Sequence, residues 1–172
     1  MTDESDRRAV EAAHTGLYRA VETADLDLMG AVWADGTDGE SSVCVHAGWT
    51  PLTGRTSILR SWAALMAATP YIQYFLTDRV VHVRGDVAVV SCVENVLTAA
   101  GAGNEPAAES GFVGGRAVAT TVFRRSPGGW RVWVHHGSPV IEARDPFSRP
   151  AGREDQQGGH GDEDGTDDVE GE

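Results

Sequence analysis

The sequence contains no lysine, only two cysteines and no long apolar run, and each of these absences argues against a class of protein. The 14 basic residues, all arginine, are outnumbered by 26 acidic residues, which gives a formal net charge of -12. Phosphate binding needs clustered positive charge, so this balance argues against a general nucleic-acid binder. The two cysteines, Cys44 and Cys92, are too few for a disulfide framework and match neither a zinc spacing nor a redox motif.

The apolar runs are also too short for a membrane span, which needs about 18 to 20 residues. The first eight residues are mostly polar or charged and no apolar segment follows them, so we expect no secretory signal. A chain of 172 residues and 18.3 kDa fits one compact domain and a tail. These features predict an acidic, cytoplasmic, single-domain protein that binds neither nucleic acid nor a membrane.

The C-terminal part of the chain differs from the rest in composition. Nine of the 26 acids lie in residues 150–172, together with a single basic residue. Apolar side chains become rare from about residue 144 onward, so this segment cannot bury enough surface to offset the entropy lost on ordering it. The sequence therefore predicts a folded domain over residues 1–143 and an acidic, Gly-rich, disordered tail over residues 144–172.

Apolar residues recur every three or four positions in the first part of the chain, as they do in amphipathic helices. This spacing predicts one helix around Val10–Val21, a second and shorter one around Leu26–Trp33, and a third around Ile58–Met66. The residues Gly36–Gly39 are typical of a turn, and a short apolar run, Val43–His46, follows them.

After Pro70 the apolar period changes from nearly four to two, as expected for β-strands. The pattern predicts four long strands, joined in pairs by tight turns: Ile72–Arg84, Val87–Thr98, Ala117–Arg125 and Trp130–Gly137. Most of Ala99–Gly115, which is rich in Gly and Ala, is expected to form a flexible loop. Helices followed by strands indicate an α+β fold with segregated elements.

Both faces of the predicted strand Val87–Thr98 are mostly apolar. An antiparallel sheet with one face in water should instead alternate between apolar and polar residues. The helices can cover only one face, so a second copy of the chain is expected to cover the other. The sequence therefore predicts a homodimer, with Trp133 and His135 among the candidate interface residues.

Several local motifs, in their order along the chain, resemble the nuclear transport factor 2-like superfamily and, within it, the SnoaL-like domains of bacteria. The motifs are Ala24-Asp25-Leu26-Asp27, Trp33-Ala34-Asp35, Val43-Cys44-Val45-His46-Ala47-Gly48-Trp49, Leu52-Thr53-Gly54-Arg55, Ala119–Phe123, Gly129–Val132 and His135–Pro139. The resemblance covers about residues 8–142. It implies a cone-shaped, curved antiparallel sheet around a cavity, closed by the three N-terminal helices, and usually a homodimer.

The resemblance leaves the activity open, because members of this superfamily include isomerases, cyclases, dehydratases and hydrolases as well as binding and assembly modules. Ketosteroid isomerase and the SnoaL cyclase use an acidic catalytic base. When the sequences are aligned on Gly54-Arg55, the position that resembles the isomerase base falls at or beside His46. The resemblance therefore assigns no catalytic aspartate to this chain.

Two polar residues within apolar surroundings are candidates for chemistry. His46 ends a short apolar strand, and a histidine with an ordinary pKa of about 6.5 can act as a general acid or base. It can equally be a hydrogen-bonded side chain packed at the cavity mouth. Glu94 lies in an apolar strand, and a buried carboxyl needs either a partner or a raised pKa, so it is structural or functional.

His135 and His136 are adjacent on a predicted strand, so their side chains must point to opposite faces. The face that contains Trp130, Val132 and Val134 is apolar before it reaches His136. This pattern predicts that His136 points into the cavity and that His135 points outward.

Four further residues are candidate ligand contacts. Trp49, Trp62 and Tyr74 are large side chains that could line a cavity for a flat apolar molecule, although ordinary core packing would explain them as well. Thr120, on a predicted strand, is the fourth candidate.

Two functions remain open. The first is an enzyme, an isomerase, cyclase or hydrolase, that acts on a small apolar molecule with His46 and either Glu94 or His136 as acid and base. The second is a non-catalytic, dimeric ligand-binding or scaffold domain. These three residues lack the spacing of a metal-ligand motif, so neither a metal nor another cofactor is expected.

Overall fold

The computed structural model describes residues 3–99 and 111–140. Its helices are α1 (Asp3–Glu22), α2 (Leu26–Val32), α3 (Gly36–Glu40) and α4 (Arg55–Ala68). Its strands are β1 (Val43–Val45), β2 (Leu52–Thr53), β3 (Ile72–Arg84), β4 (Val87–Ala99), β5 (Phe112–Ser126) and β6 (Gly129–Pro139). None of the described helices is long and apolar enough to cross a membrane.

The six strands form one curved, open sheet in the order β2-β1-β6-β5-β4-β3. The four long strands pair antiparallel, whereas β1 pairs parallel with β6, with Val43 opposite Val134. This arrangement of N-terminal helices and a curved sheet confirms the predicted α+β class. The sheet itself is mixed, because the short strand β1 runs parallel to its long neighbour.

The core lies between the helices and the inner face of the sheet, where α1 packs against β3 and β6. Local sequence positions these helices: the side chain of Asp25 accepts a hydrogen bond from the backbone N–H of Leu28 and so caps α2. Gly54, with φ of 83°, precedes α4 in a conformation that favours glycine. Fully buried core residues come from both layers and include Leu17, Met29, Ile58, Val90 and Phe123.

The residues Gly36–Gly39, predicted as a turn, belong to a single helical turn, α3. Its geometry depends on Gly39, because a Cβ atom at that position would lie 2.8 Å from the carbonyl oxygen of Ala34. The segment is polar and rich in glycine, so helix propensity does not predict this turn, and Gly39 is its buried residue.

The predicted loop Ala99–Gly115 is shorter than expected, because β5 begins at Phe112 and pairs with β4 as far as Ala99. Backbone pairing with β4 extends β5 through Gly114 and Gly115, two of the glycines on which the loop prediction rested. The centre of that loop and the predicted disordered tail, residues 144–172, lie outside the described residues. The domain boundary after residue 143 stays a prediction.

A β-bulge at Trp133 reverses the orientation of the side chains that follow it on β6. Phe123 of β5 pairs with Val132, whereas Val122, its neighbour, pairs with Val134. Trp133 is therefore an extra residue on β6 that has no partner residue on β5. Residues facing inward therefore change from even to odd numbers. His135 is only 4% exposed and faces inward, whereas His136 is exposed.

The prediction that His136 points into the cavity is therefore wrong, and so is the placement of His135 at an outer interface. Alternation along a strand predicts orientation only as far as the next bulge. Thr120 pairs with His136 and is exposed with it on the outer face, so its prediction as a ligand contact is wrong as well. Its neighbour Thr121, which pairs with His135, is the buried threonine.

Candidate functional site

A cavity of about 220 Å³ lies between the helices and the inner face of the sheet. Since an apolar cavity of about 150 Å³ holds benzene, this volume suits a single ring with a few substituents. Its apolar and aromatic wall consists of Leu17, Val21, Ala47, Trp49, Trp62, Leu65, Tyr74, Val96 and Ala117. The other lining residues are Tyr18, His46, Glu94, His135 and Gly137.

Glu94 is held in the cavity wall by a tyrosine from α1. The hydroxyl of Tyr18 donates a hydrogen bond of 2.7 Å to Oε1 of Glu94, and both side chains are buried. Burial raises the pKa of Glu94, and the hydrogen bond from Tyr18 opposes part of this rise. Glu94 is therefore a carboxyl that keeps its proton to higher pH than an exposed glutamate does.

His135 lies next to this pair but stays neutral. Its Nε2 atom is 4.0 Å from Oε1 of Glu94, and its Nδ1 atom is 3.0 Å from the hydroxyl of Thr121. Burial lowers the pKa of His135 to about 3, and three further histidines, His46, His14 and His136, add to this effect. At neutral pH the contact with Glu94 is therefore not an ion pair.

His46 reaches the cavity from the end of β1 and packs between two tryptophans. Its ring centroid lies 4.4 Å from that of Trp62 and 5.1 Å from that of Trp49, in both cases edge to face. Its Nε2 atom is 2.9 Å from the hydroxyl of Ser61 on α4. Burial lowers the pKa of His46, so the ring is mainly neutral at neutral pH.

The structure brings together five of the seven predicted site residues. His46, Glu94, Trp49, Trp62 and Tyr74 line the same cavity, with Trp49 about half exposed at 52%. The other two, His136 and Thr120, lie on the outer face of the sheet, as described above. Within residues 3–99 and 111–140, no group of three or more His, Cys, Asp or Glu side chains is arranged to hold a metal ion.

Three further polar residues of the site are absent from the sequence-based prediction: Tyr18, Ser61 and Thr121. Tyr18 follows Leu17 of the apolar stripe on α1 and lies four residues after His14, and both polar side chains are buried. This spacing places the two side chains on the same side of the helix, so the sequence pattern could have identified Tyr18 as a buried polar residue. Ser61 gave a similar signal, because it lies one residue before Trp62 on the apolar side of α4. Thr121 could not be assigned without the register of the sheet.

The two cysteines are buried and stay protonated. Burial raises the pKa of Cys44 to about 12, and burial also raises the pKa of Cys92. A nucleophilic cysteine needs the opposite shift, because the thiolate is the reactive form. Cys92 lies instead between Tyr18 and His14, with its sulfur 3.7 Å from Oη of Tyr18 and 4.0 Å from Nε2 of His14.

Comparison with known proteins agrees with this architecture. A profile of the SnoaL-like domain matches residues 10–142. The chain belongs to the SnoaL-like domain family. No curated protein matches this SnoaL-like chain.

Solved structures extend the comparison to the nuclear transport factor 2-like (NTF2-like) superfamily. A candidate dehydratase from the NTF2-like family of Streptomyces avermitilis is 42% identical, with a TM-score of 0.73, over 81% of this chain and 99% of that chain. A candidate calcium/calmodulin-dependent protein kinase type II association domain from Thiobacillus denitrificans is 30% identical, with a TM-score of 0.58, over 76% and 94% of the two chains. An NTF2-like superfamily protein from Salmonella enterica, 14% identical over 86% and 100% of the chains, shares the fold with a TM-score of 0.69.

Proposed function

We propose that this SnoaL-like protein is an acid–base enzyme that eliminates water from a small, uncharged ring compound. The observation that supports the proposal is the convergence of His46 and Glu94 on one mainly apolar cavity of about 220 Å³. Apolar walls with a few convergent polar groups of shifted pKa are typical of an active site. The name of the Streptomyces avermitilis protein, a candidate dehydratase 42% identical to this chain, supports elimination among the possible reactions.

Elimination of water needs a base that takes a proton from the substrate and an acid that protonates the leaving hydroxyl. Glu94 suits the acid, because burial raises its pKa and so favours the protonated carboxyl, and because Oε1 already accepts the hydrogen bond from Tyr18. The proton is therefore expected on Oε2. His46, neutral at neutral pH, suits the base.

The proposed step is balanced in protons and electrons. His46 gains the proton that the substrate carbon loses, the carbon–hydrogen electron pair forms the double bond, and the carbon–oxygen bond breaks as Glu94 protonates the hydroxyl. Water leaves, and the proton on His46 returns to Glu94 through solvent before the next turnover. No oxidant or reductant is consumed, so the scheme needs no redox cofactor.

The lining of the cavity favours an uncharged substrate of limited size. Its 14 described lining residues include no arginine, and Glu94 is the acidic one among them. An anionic substrate would therefore be desolvated without a matching cation, at a cost of several kcal/mol. A ring of about the size of benzene with a hydroxyl and a carbonyl substituent fits both the volume and this polarity.

The test uses single-ring β-hydroxy ketones, beginning with 3-hydroxycyclohexanone, because their elimination product absorbs in the ultraviolet as a conjugated enone. We expect the wild-type protein to accelerate the reaction, and Glu94→Gln and His46→Ala each to lower the rate at least about 100-fold. His136→Ala is the matched control, because this histidine lies on the outer face, and it should change the rate less than about twofold. No acceleration of any member of the panel, or equal rates for wild type and Glu94→Gln, would contradict the proposal.

A second candidate function is a dimeric binding or scaffold domain without catalysis. Large apolar side chains are exposed on the outer face of the sheet, among them Phe75 at 53% and also Val80, Val89 and Val118. An apolar patch of this kind is typical of an interaction surface, and a homodimer would cover it. The name of the Thiobacillus denitrificans protein, a candidate association domain 30% identical to this chain, supports assembly through the same fold.

A further inference from the structure

Ser61 lies on α4 beside His46, and its hydroxyl makes two short contacts. Its Oγ atom is 2.7 Å from the carbonyl oxygen of Ile58, one helical turn earlier, and 2.9 Å from Nε2 of His46. Ser61 and His46 are both buried. These two contacts determine where the protons lie.

Two oxygen atoms 2.7 Å apart need a hydrogen atom between them, since their lone pairs would otherwise repel each other. The carbonyl oxygen of Ile58 has no hydrogen, whereas the hydroxyl of Ser61 has one. The Ser61 proton is therefore donated to Ile58, and its oxygen can only accept at Nε2 of His46. A neutral imidazole has one N–H group, so the proton is on Nε2 and the lone pair is on Nδ1.

A second polar neighbour of Nε2 is too distant to compete with Ser61. The sulfur of Cys44 is 3.9 Å from Nε2, and a thiol is a weak hydrogen-bond donor. A thiol that donated to Nε2 would require the opposite tautomer and would leave the 2.9 Å contact with Ser61 without a proton. The shorter contact therefore decides the tautomer.

We infer that Ser61 is a positioning residue that holds His46 as the Nε2-protonated tautomer, so that Nδ1 is the atom that accepts a proton or hydrogen bond from a bound molecule. The catalytic consequence rests on the proposed function, but the tautomer itself can be measured without turnover. The inference also specifies the ligand chemistry: a ring compound that brings an O–H or N–H donor to His46 binds better than an isostere without one.

The first test is a two-bond hydrogen–nitrogen NMR correlation of the His46 side chain at pH 7.5, on the free protein. We expect the wild type to show a proton on Nε2 and a lone pair on Nδ1. Ser61→Ala should convert His46 to a mixture of tautomers or to the Nδ1-protonated form, whereas Ser61→Thr, which retains the hydroxyl, should preserve the wild-type pattern. Ser57→Ala, on the exposed side of the same helix, is the control.

The wild-type spectrum alone can overturn the inference, whether or not the variants fold. A proton on Nδ1 of wild-type His46 would refute the proton assignment. An unchanged tautomer in a folded Ser61→Ala protein would show that another group determines it.

The second test compares two probes of equal size, phenol and toluene, by titration calorimetry. We expect phenol to bind more tightly than toluene to the wild type, and this preference to fall about three- to tenfold in both Ser61→Ala and His46→Ala. A preference that survives in His46→Ala but is lost in Glu94→Gln would assign the hydroxyl to Glu94 and overturn the inference. If toluene binds and phenol has no advantage, the inferred ligand preference is wrong, while the apolar cavity of the proposed function stands. If neither probe binds, the proposed function is wrong, and the NMR result alone decides the tautomer of His46.

Discussion

Replacing Tyr18 with phenylalanine removes one hydroxyl and isolates the interaction that holds Glu94. Tyr18 donates to Oε1 of Glu94 at 2.7 Å, and both groups are buried, so water cannot replace the lost hydrogen bond at full strength. A hydrogen bond to an ionised group contributes about 1.5–3 kcal/mol, whereas one between neutral groups contributes about 0.5–1.5 kcal/mol. The cost of Tyr18→Phe therefore depends on whether Glu94 is ionised.

The sign of the pH dependence follows from the raised pKa of Glu94. Because this carboxyl holds its proton more tightly in the folded state than in the unfolded state, its contribution to the free energy of unfolding is complete below the unfolded pKa. That contribution is lost as the pH rises through the folded pKa. Tyr18→Phe removes the hydrogen bond that limits this loss. We therefore expect the loss in the variant to be larger at pH 9 than at pH 5, with about 2 kcal/mol for the ionised carboxylate and about 1 kcal/mol for the protonated carboxyl.

The measurement is urea unfolding at both pH values, followed by tryptophan fluorescence. Tyr71→Phe is the matched control, because Tyr71 is an exposed tyrosine whose hydroxyl also donates a 2.8 Å hydrogen bond, to Gln73. It should change the free energy of unfolding by less than about 0.5 kcal/mol at either pH. A loss in Tyr18→Phe that is equal at the two pH values, or larger at pH 5, would show that Glu94 is not the group that responds.

Three other predictions concern parts of the molecule outside the cavity. Phe75→Glu, on the outer face of the sheet, should convert the proposed homodimer to a monomer in sedimentation equilibrium. A wild-type protein that sediments at micromolar concentration only as an 18.3 kDa species would contradict the dimer. Deletion of residues 149–172 should leave the melting temperature nearly unchanged, because the composition of this segment predicts disorder and hence few contacts with the domain. A drop of many degrees would show that the segment binds the domain. Gly39→Ala should lower the free energy of unfolding, measured by urea denaturation, by about 1–3 kcal/mol, because the new methyl group would lie 2.8 Å from the Ala34 carbonyl oxygen. An unchanged free energy of unfolding would show that α3 can move away from Ala34.

The orientation of side chains could be predicted from the sequence where a strand is regular and not where it is interrupted. On β4, the residues Ala88, Val90, Cys92 and Glu94 share the inner face, as simple alternation predicts, because this strand has no bulge of its own against β5. On β6, the same counting fails at Trp133. The indole of this residue donates a hydrogen bond to Ser41, 92 positions earlier in the chain, and contacts of that range leave no local pattern in the sequence.

The sequence could indicate Tyr18 as a buried polar residue, but it could not indicate its hydrogen-bond partner, since Tyr18 and Glu94 are 76 residues apart and share no motif. What these partners are decides the chemistry. In a serine-protease triad a carboxylate orients the histidine and stabilises its charged form. Here hydroxyl groups hold both cavity histidines, Ser61 on His46 and Thr121 on His135, and a hydroxyl gives no such charge stabilisation.

Burial therefore acts on His46 and Glu94 without a compensating ion pair among the described residues, and it acts in opposite directions. It lowers the pKa of the histidine and raises that of the carboxyl, so the two values move toward each other from their ordinary positions. A proton passes between an acid and a base at small free-energy cost when their pKa values are close. The apolar wall that selects an uncharged ring compound would thus also adjust His46 and Glu94 for the proton return that the proposed elimination requires.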